Sequence, residues 1–246
     1  MSLLANLSTD DSIAAEKDSV GSGGVIDSGL YLMEITTAYI NQAESGAMAL
    51  VIHAKDKNDK TLRQSFWMTS GKAKGCKNYY EKDGEKHYLP GFLHANALSL
   101  LTLGKEISTL DTEEKVIKLY SADAKAEVPT KVNMVMELLG KEVLLGVIKQ
   151  TVPKTKKNES GEYVPTGETR DENEVDKIFR ARDRMTTAEI RAQATEAAFA
   201  DTWEAKWSGK VKDKTKGTSA STGSVGAPKG AAPTAGTKKP TSSLFS

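Results

Sequence analysis

The chain of 246 residues has a single cysteine, Cys76, so no disulfide can form within it. That excludes the small disulfide-stapled folds and points to a reducing, cytoplasmic compartment. No apolar run approaches the roughly 18 residues of a membrane-spanning helix. The first residues lack the basic start and apolar core of a secretory signal. Histidine is scarce: His53, His87 and His94 are all there is. Cys76, His87 and His94 could offer three ligands to zinc, but their spacing fits no common pattern and no Cys-x-x-Cys pair exists. Ser70-Gly71-Lys72 has the end of a phosphate loop, yet Phe66 stands where its upstream glycine should be. The acids Asp171, Glu172 and Glu174 cluster without the strand-end carboxylates and histidines of a two-metal nuclease, and read as a polar helix start. No metal, no cofactor and no catalytic residue is therefore expected, and the chain reads as a binding protein rather than an enzyme.

Strong net charge is also lacking. The total is +1, which a globally basic nucleic-acid binder would exceed. The distribution is uneven, however. From Gly209 to Ser246 seven lysines face one acid, Asp213, a net +6 that leaves −5 on the rest. That tail is rich in Gly, Ser, Thr, Ala and Pro and cannot bury enough apolar area to offset its chain entropy, so disorder is expected there. Four segments follow: a flexible leader over 1–24 ending in Gly21-Ser22-Gly23-Gly24, a β domain over 25–152, a basic linker with a helical extension over 153–208, and the tail over 209–246.

Within 25–152 strand signals dominate. Leu30 to Ile40 is β-prone. Ala47 to Ala54 follows, with Met48, Leu50 and Ile52 alternating toward one face. Asn58-Asp59 marks a hairpin turn before Thr61 to Thr69. A polar loop leads to Phe92–Leu103, where Leu93, Ala97, Leu100 and Leu101 take helical spacing and Gly104 supplies the stop. Strands resume at Lys115–Tyr120, Val128–Leu138 and Glu142–Val152, with a tight hairpin expected at Gly140-Lys141. Pro153–Pro165 reads as irregular and 173–180 as a short helix. Thr186-Thr187-Ala188-Glu189 has the form of a capping box opening a helix to about Trp207. Phe199, Trp203 and Trp207 would lie on one face of that helix, docked on the β domain or on a second copy.

The third strand carries the main binding signal. With Leu62, Phe66 and Met68 inward, alternation puts Arg63, Ser65 and Trp67 on the opposite face. An exposed Trp beside a cation can stack any base, because every base has a π-face. The loop beyond extends the pattern. From Arg63 to Asn78 the charges are Arg63, Lys72, Lys74 and Lys77, with no acid; Tyr79, Tyr80 and Tyr88 then interleave with Lys82 and Lys86. Lysines can follow phosphates while rings take bases. The plainer reading is a solvated hairpin with its tyrosines packed down. Lys149, Lys154, Lys156 and Lys157 form a second acid-free patch that could line the same groove or be a polar linker. At the end, Leu244 and Phe245 offer an apolar pair on a basic tether, suited to docking a protein partner.

Several whole segments resemble bacteriophage single-stranded DNA-binding proteins with an OB-fold. They are Ser28-Gly29-Leu30-Tyr31 through Trp67-Met68-Thr69, Leu89-Pro90-Gly91-Phe92 to Leu103-Gly104-Lys105, and Glu127-Val128-Pro129-Thr130-Lys131-Val132 with Leu138-Leu139-Gly140-Lys141. Thr166-Gly167-Glu168-Thr169-Arg170 is similar to a turn in those proteins. The resemblance spans roughly residues 25–205. It implies a mainly β protein with α extensions: an OB-fold-like five-stranded barrel, a helix after the third strand, a C-terminal helix and a disordered tail. It implies sequence-non-specific coating of single-stranded DNA in phage replication, recombination or transcription, in the host cytoplasm, with Arg63, Trp67, Tyr79 and Tyr80 on the barrel face. Single-stranded RNA would satisfy the same chemistry. Strand annealing by a homo-oligomer, or an adaptor role recruiting phage or host replication and transcription proteins through the tail, are the alternatives; no membrane partner is implied. One departure stands out. Many such proteins end in an acidic tail, and this tail is basic.

Overall fold

A computed structural model describes residues 24–121, 124–159 and 163–215, without the side chain of Lys157. The leader up to Gly23 and the tail from Lys216, with Leu244 and Phe245, lie outside the described residues. The architecture is mainly β: β1 (Gly29–Gln42), β2 (Met48–Lys55), β3 (Thr61–Trp67), β4 (Tyr79–Lys82), β5 (Glu85–Tyr88), β6 (Glu113–Ser121), β7 (Ala126–Met134), β8 (Glu142–Lys157), β9 (Tyr163–Phe179) and β10 (Val211–Asp213). Three helices accompany them: α1 (Pro90–Leu103), α2 (Thr187–Arg191) and α3 (Ala198–Trp207).

One sheet holds eight strands. Its path runs β10-β8-β1-β2-β3, β9 pairs with β8, and β7 pairs with both β1 and β6. The long strand β1 organises it. A register shift between Ile35 and Thr37 inserts one extra residue. Met33 and Ile35 face inward before it, and Ala38 after it. The change of parity is what a bulge produces. The same point divides the other edge of β1: Gly29–Glu34 pairs with β8, and Tyr39–Ile40 pairs with β7. The connector between β7 and β8 runs along the bulge, where Val135 N donates to Ala38 O (2.9 Å) and Gly140 N to Ile35 O (2.8 Å). β7 and β8 are thus successive neighbours of one strand, not the two arms of the hairpin expected at Gly140-Lys141.

The main core lies between the sheet's concave face and α1. Leu50, Ile52, Leu62, Phe66, Leu98, Val143, Leu145 and Val147 are all buried there. The helix begins with Pro90 at its first turn and ends at Gly104 in the left-handed conformation, which glycine adopts without steric cost. Its first turn presses on β3. A Cβ on Gly91 would stand 2.1 Å from the Trp67 carbonyl oxygen, so only glycine permits this contact.

The expected five-stranded barrel is not closed. Among the described residues β3 and β9 share no ladder. Their seam is bridged by a side chain, with Val175 N donating to Gln64 Oε1 (3.1 Å). Gln64 occupies an inward position of β3 and substitutes for one rung of backbone pairing.

Four further expectations change. Residues 173–180 are the end of β9, not a helix. A register shift pairs Gly146 with Lys177 but Val147 with Val175. Val175 and Ile178 therefore both reach the core, and their i, i+3 spacing imitates helical periodicity. Pro153–Lys157 and Tyr163–Pro165 are not irregular but form the far ends of β8 and β9. The expected helix to Trp207 breaks in two. Thr186 and Glu189 form the capping box of α2, but Glu189 Oε1 also accepts from Phe199 N (2.8 Å) and so serves the start of α3. The tail also begins later than its composition suggests. Val211–Asp213 pairs parallel with Lys149–Thr151, and Lys214 is ion-paired with Glu174 at 2.9 Å.

α3 covers the convex face of β8 and β9. Trp203 is buried against Leu144, Ile148 and Phe179, and its Nε1 donates to Asp176 Oδ2 (2.8 Å). Gly146 leaves room for the indole, whose carbons lie 3.0 and 3.1 Å from where a Cβ would be. Phe199 stays partly exposed and Trp207 packs at the margin beside Leu30.

Candidate nucleic-acid interface

The outer faces of β2 and β3 are read directly from the ladder. His53 lies opposite Arg63, Val51 opposite Ser65 and Ala49 opposite Trp67. Arg63 is exposed, and Ser65 and Trp67 are half-buried, while Leu62, Phe66 and Met68 are buried on the other side. Four residues of strand place Arg63 and Trp67 about 13 Å apart along one face. This face is narrower than alternation alone suggests. Tyr39 and Val51 share it but are buried, together with Met134, under Ile117, Leu119 and Val132. The β6–β7 hairpin thus roofs the centre of the sheet and leaves the β3 side open.

The chain leaves β3 through a tight polar turn. Ser70 N donates to Lys77 O (2.8 Å) and Lys77 N to Ser70 Oγ (3.0 Å), so the loop returns to where it started. Between them a 3-10 turn over Lys72–Lys74 is closed by Gly75 in the left-handed conformation, and Lys72 N donates to Ser45 O (2.7 Å). Lys72, Lys74 and Lys77 are exposed at this end of β3.

The expected polar loop then folds as the β4–β5 hairpin. Asp83 (φ 54) and Gly84 (φ 82) form its two-residue turn with positive φ at both positions, the geometry that matches strand twist. Tyr79 pairs with Tyr88 and Tyr80 with His87, so each face carries a pair of rings. On one face Lys77 Nζ and Lys86 Nζ lie 5.3 and 5.0 Å from the centre of the Tyr79 ring, within cation–π range. Tyr88 stacks on Phe92 with centroids 5.0 Å apart, which fastens the hairpin to α1 beside Gly91 and so to the Trp67 backbone. On the other face Tyr80 lies over His87 at 5.5 Å. Tyr80 is 45% exposed and Tyr88 55%. The tip also carries Glu81, Asp83 and Glu85, so positive charge gathers at the base of the hairpin, near Trp67. Among the described residues no carboxylate pairs with Arg63, Lys72, Lys74, Lys77, Lys82 or Lys86. No family model, curated protein or solved structure matches this chain.

The second basic patch is elsewhere. Lys149 and Lys154 lie along β8, where Lys149 pairs with Asp27 (3.4 Å) and Lys154 with Glu168 (3.0 Å). Lys156 is exposed farther out on the same strand, and Lys157 ends it. The structure does not place them on the outer face of β3. Nor does it gather Cys76, His87 and His94. Among the described residues no group of three His, Cys, Asp or Glu could hold a metal ion. His94 Nε2 instead donates to the Asp176 carbonyl (3.0 Å), and Cys76 is exposed. No helix of the described residues is long and apolar enough to cross a membrane.

Two contributors escaped the sequence reading. Phe92 reads only as the start of a helix, and nothing in the sequence joins it to Tyr88. His53 was within reach, because alternation from Leu50 and Ile52 puts it on the outer face. Its ring stands 6.2 Å from that of Tyr39. Burial, and secondarily the charge of Arg63, hold its pKa below the ordinary histidine value of 6.5.

Proposed function

We propose that this chain is a sequence-non-specific single-stranded DNA-binding protein of the phage type, and that its open sheet is an OB-fold variant carrying two inserted hairpins. The observation that carries the reading is the set of half-exposed rings and of cations without a carboxylate partner among the described residues, along the outer face of β3 and at its C-terminal end. Trp67, Tyr79, Tyr80 and Tyr88 offer stacking surfaces for bases, and Arg63, Lys72, Lys74 and Lys77 offer charges for phosphates. Strand order supports the fold. The path β3-β2-β1-β8-β9, with α1 between β3 and β8, is the order of an OB barrel. The Gln64–Val175 bond lies where the closing pair would be. On this reading β4–β5 is inserted before the helix and β6–β7 after it.

Titration of a fluorescent mixed-sequence oligonucleotide, as single strand and as duplex, tests the function. Tight single-strand binding, weak duplex binding and quenching of tryptophan emission are expected. Trp67→Phe should remove most of the quench, since Trp203 is buried and Trp207 packs with the β8–β9–α3 layer under Lys206 and Lys212. Equal affinity for duplex, or no binding, overturns the proposal; preference for RNA over DNA would reassign its substrate.

A further inference from the structure

The β6–β7 hairpin has a property that roofing the sheet does not require. Among the described residues β6 forms a ladder with β7 alone, in continuous register over nine residues, and its other edge is unpaired. Natural edges are blunted by proline, by a bulge, by shortness or by charged side chains, lysine above all; β6 uses only the last, with Glu113, Glu114, Lys115 and Lys118. β6 contains no proline or glycine and no register shift. It also carries Val116 and Tyr120, 61% and 69% exposed, the two most exposed large apolar side chains of the described residues. Both lie on the face turned away from Tyr39 and Val51, next to Glu114 and Lys118.

We propose that the free edge of β6 pairs antiparallel with β6 of a second copy of this chain, with Val116 opposite Val116. The charge sequence selects this register. A two-fold antiparallel pair sets each residue opposite its mirror image about the central one. Centred on Val116, Glu114 faces Lys118 of the second copy and Lys118 faces its Glu114, while Lys115 faces Ile117 and Glu113 faces Leu119. Centring on Lys115 or Lys118 sets lysine on lysine, and centring on Glu114 sets acid on acid. Centring on Ile117 leaves Val116 opposite Lys118 and creates no opposite-charge pair. Directly opposed unlike charges stabilise a sheet and like charges destabilise it. The chosen register also covers the two Val116 side chains with each other. The pair would continue each hairpin into a four-stranded sheet, β7-β6-β6-β7. Such an edge contact is small, so association at micromolar concentrations is expected.

Charge reversal tests the register. Sedimentation of the full chain should show a concentration-dependent dimer. Glu114→Lys and Lys118→Glu should each weaken dimerisation by roughly tenfold or more, since each sets two like-charge pairs across the edge. Mixing the two variants in equal amounts should restore a dimer, now heteromeric, because each lysine again meets a glutamate. Glu114 also pairs with Lys131 of its own chain at 3.0 Å, so Lys131→Ala is the control and should leave dimerisation unchanged. A wild-type chain that stays monomeric throughout overturns the proposal. So do single reversals without effect, or a mixture of folded variants that does not associate.

Discussion

Two basic stretches of similar composition have different surroundings. Around the end of β3, Lys72, Lys74 and Lys77 stand exposed, with no carboxylate paired to them among the described residues, and Lys77 lies over the Tyr79 ring. Along β8, Lys149 and Lys154 are held by Asp27 and Glu168. Asp27 comes from the far end of the sequence, and Glu168 from the strand that pairs with β8. Neither is visible when the lysines are counted in a row. A phosphate arriving at the first region meets unneutralised charge; at the second it must displace an existing partner. The lesson is that a basic patch is defined by the acids the fold brings to it.

The largest test of that contrast is Trp67→Ala, which should weaken single-strand binding by about 1–3 kcal/mol, evenly across base sequences. Unchanged affinity in a folded variant would remove the stacking platform from the first region. Next, replacing Lys72, Lys74 and Lys77 together with alanine should flatten the dependence of log affinity on log salt by about 2, near 0.7 for each lost phosphate contact. The same treatment of Lys149, Lys154 and Lys156 should change the slope by less than about 0.7. A loss equal to that of the first region would show that the strand runs along β8 and would erase the distinction.

A smaller effect separates the two histidines. Burial lowers the pKa of both His53 and His94, with Arg63 adding to the shift at His53. The folded protein therefore keeps each ring neutral where the unfolded chain would already take a proton. Stability should be constant above neutral pH and fall as the pH drops below about 6.5, the unfolded value. Thermal melts between pH 5 and 7.5 should show this, and His94→Gln should flatten part of the decline. On the proposed function bound single strand adds a distinction, because a phosphate at Arg63 would offset that charge at His53, whereas Lys177, whose charge lowers the His94 pKa, lies on β9 away from the proposed interface. Bound protein should therefore lose less stability to acid than free protein, and the difference should vanish in His53→Gln.

Much of the fold was legible. Alternation in β3 assigned Leu62, Phe66 and Met68 inward and Arg63 outward, and the structure has them so. The helix over Phe92–Leu103 with its Gly104 stop and the capping box at Thr186 were equally local signals, although the helix buries Ala95, Leu98 and Leu101 and leaves the expected Leu93 exposed. Added residues hide two features from simple alternation. The shift near Thr36 turns Tyr39 outward, where only the distant β6–β7 hairpin accounts for its burial. The shift near Asp176 spaces Val175 and Ile178 like a helix. At the candidate interface the sequence supplied the residue types, but not which lysines keep their charge free.

Asp176 has a consequence beyond register. As the extra residue of β9, it is free to turn both its groups to partners: its carbonyl receives His94 from α1, and its carboxylate receives Trp203 from α3. These helices lie on opposite faces of the sheet, one over the main core and the other over the outer layer. A single rivet therefore passes through the thickness of the protein. Loosening either layer strains the attachment of the other, so the two should melt as one cooperative unit, with matched protection of their amides against hydrogen exchange.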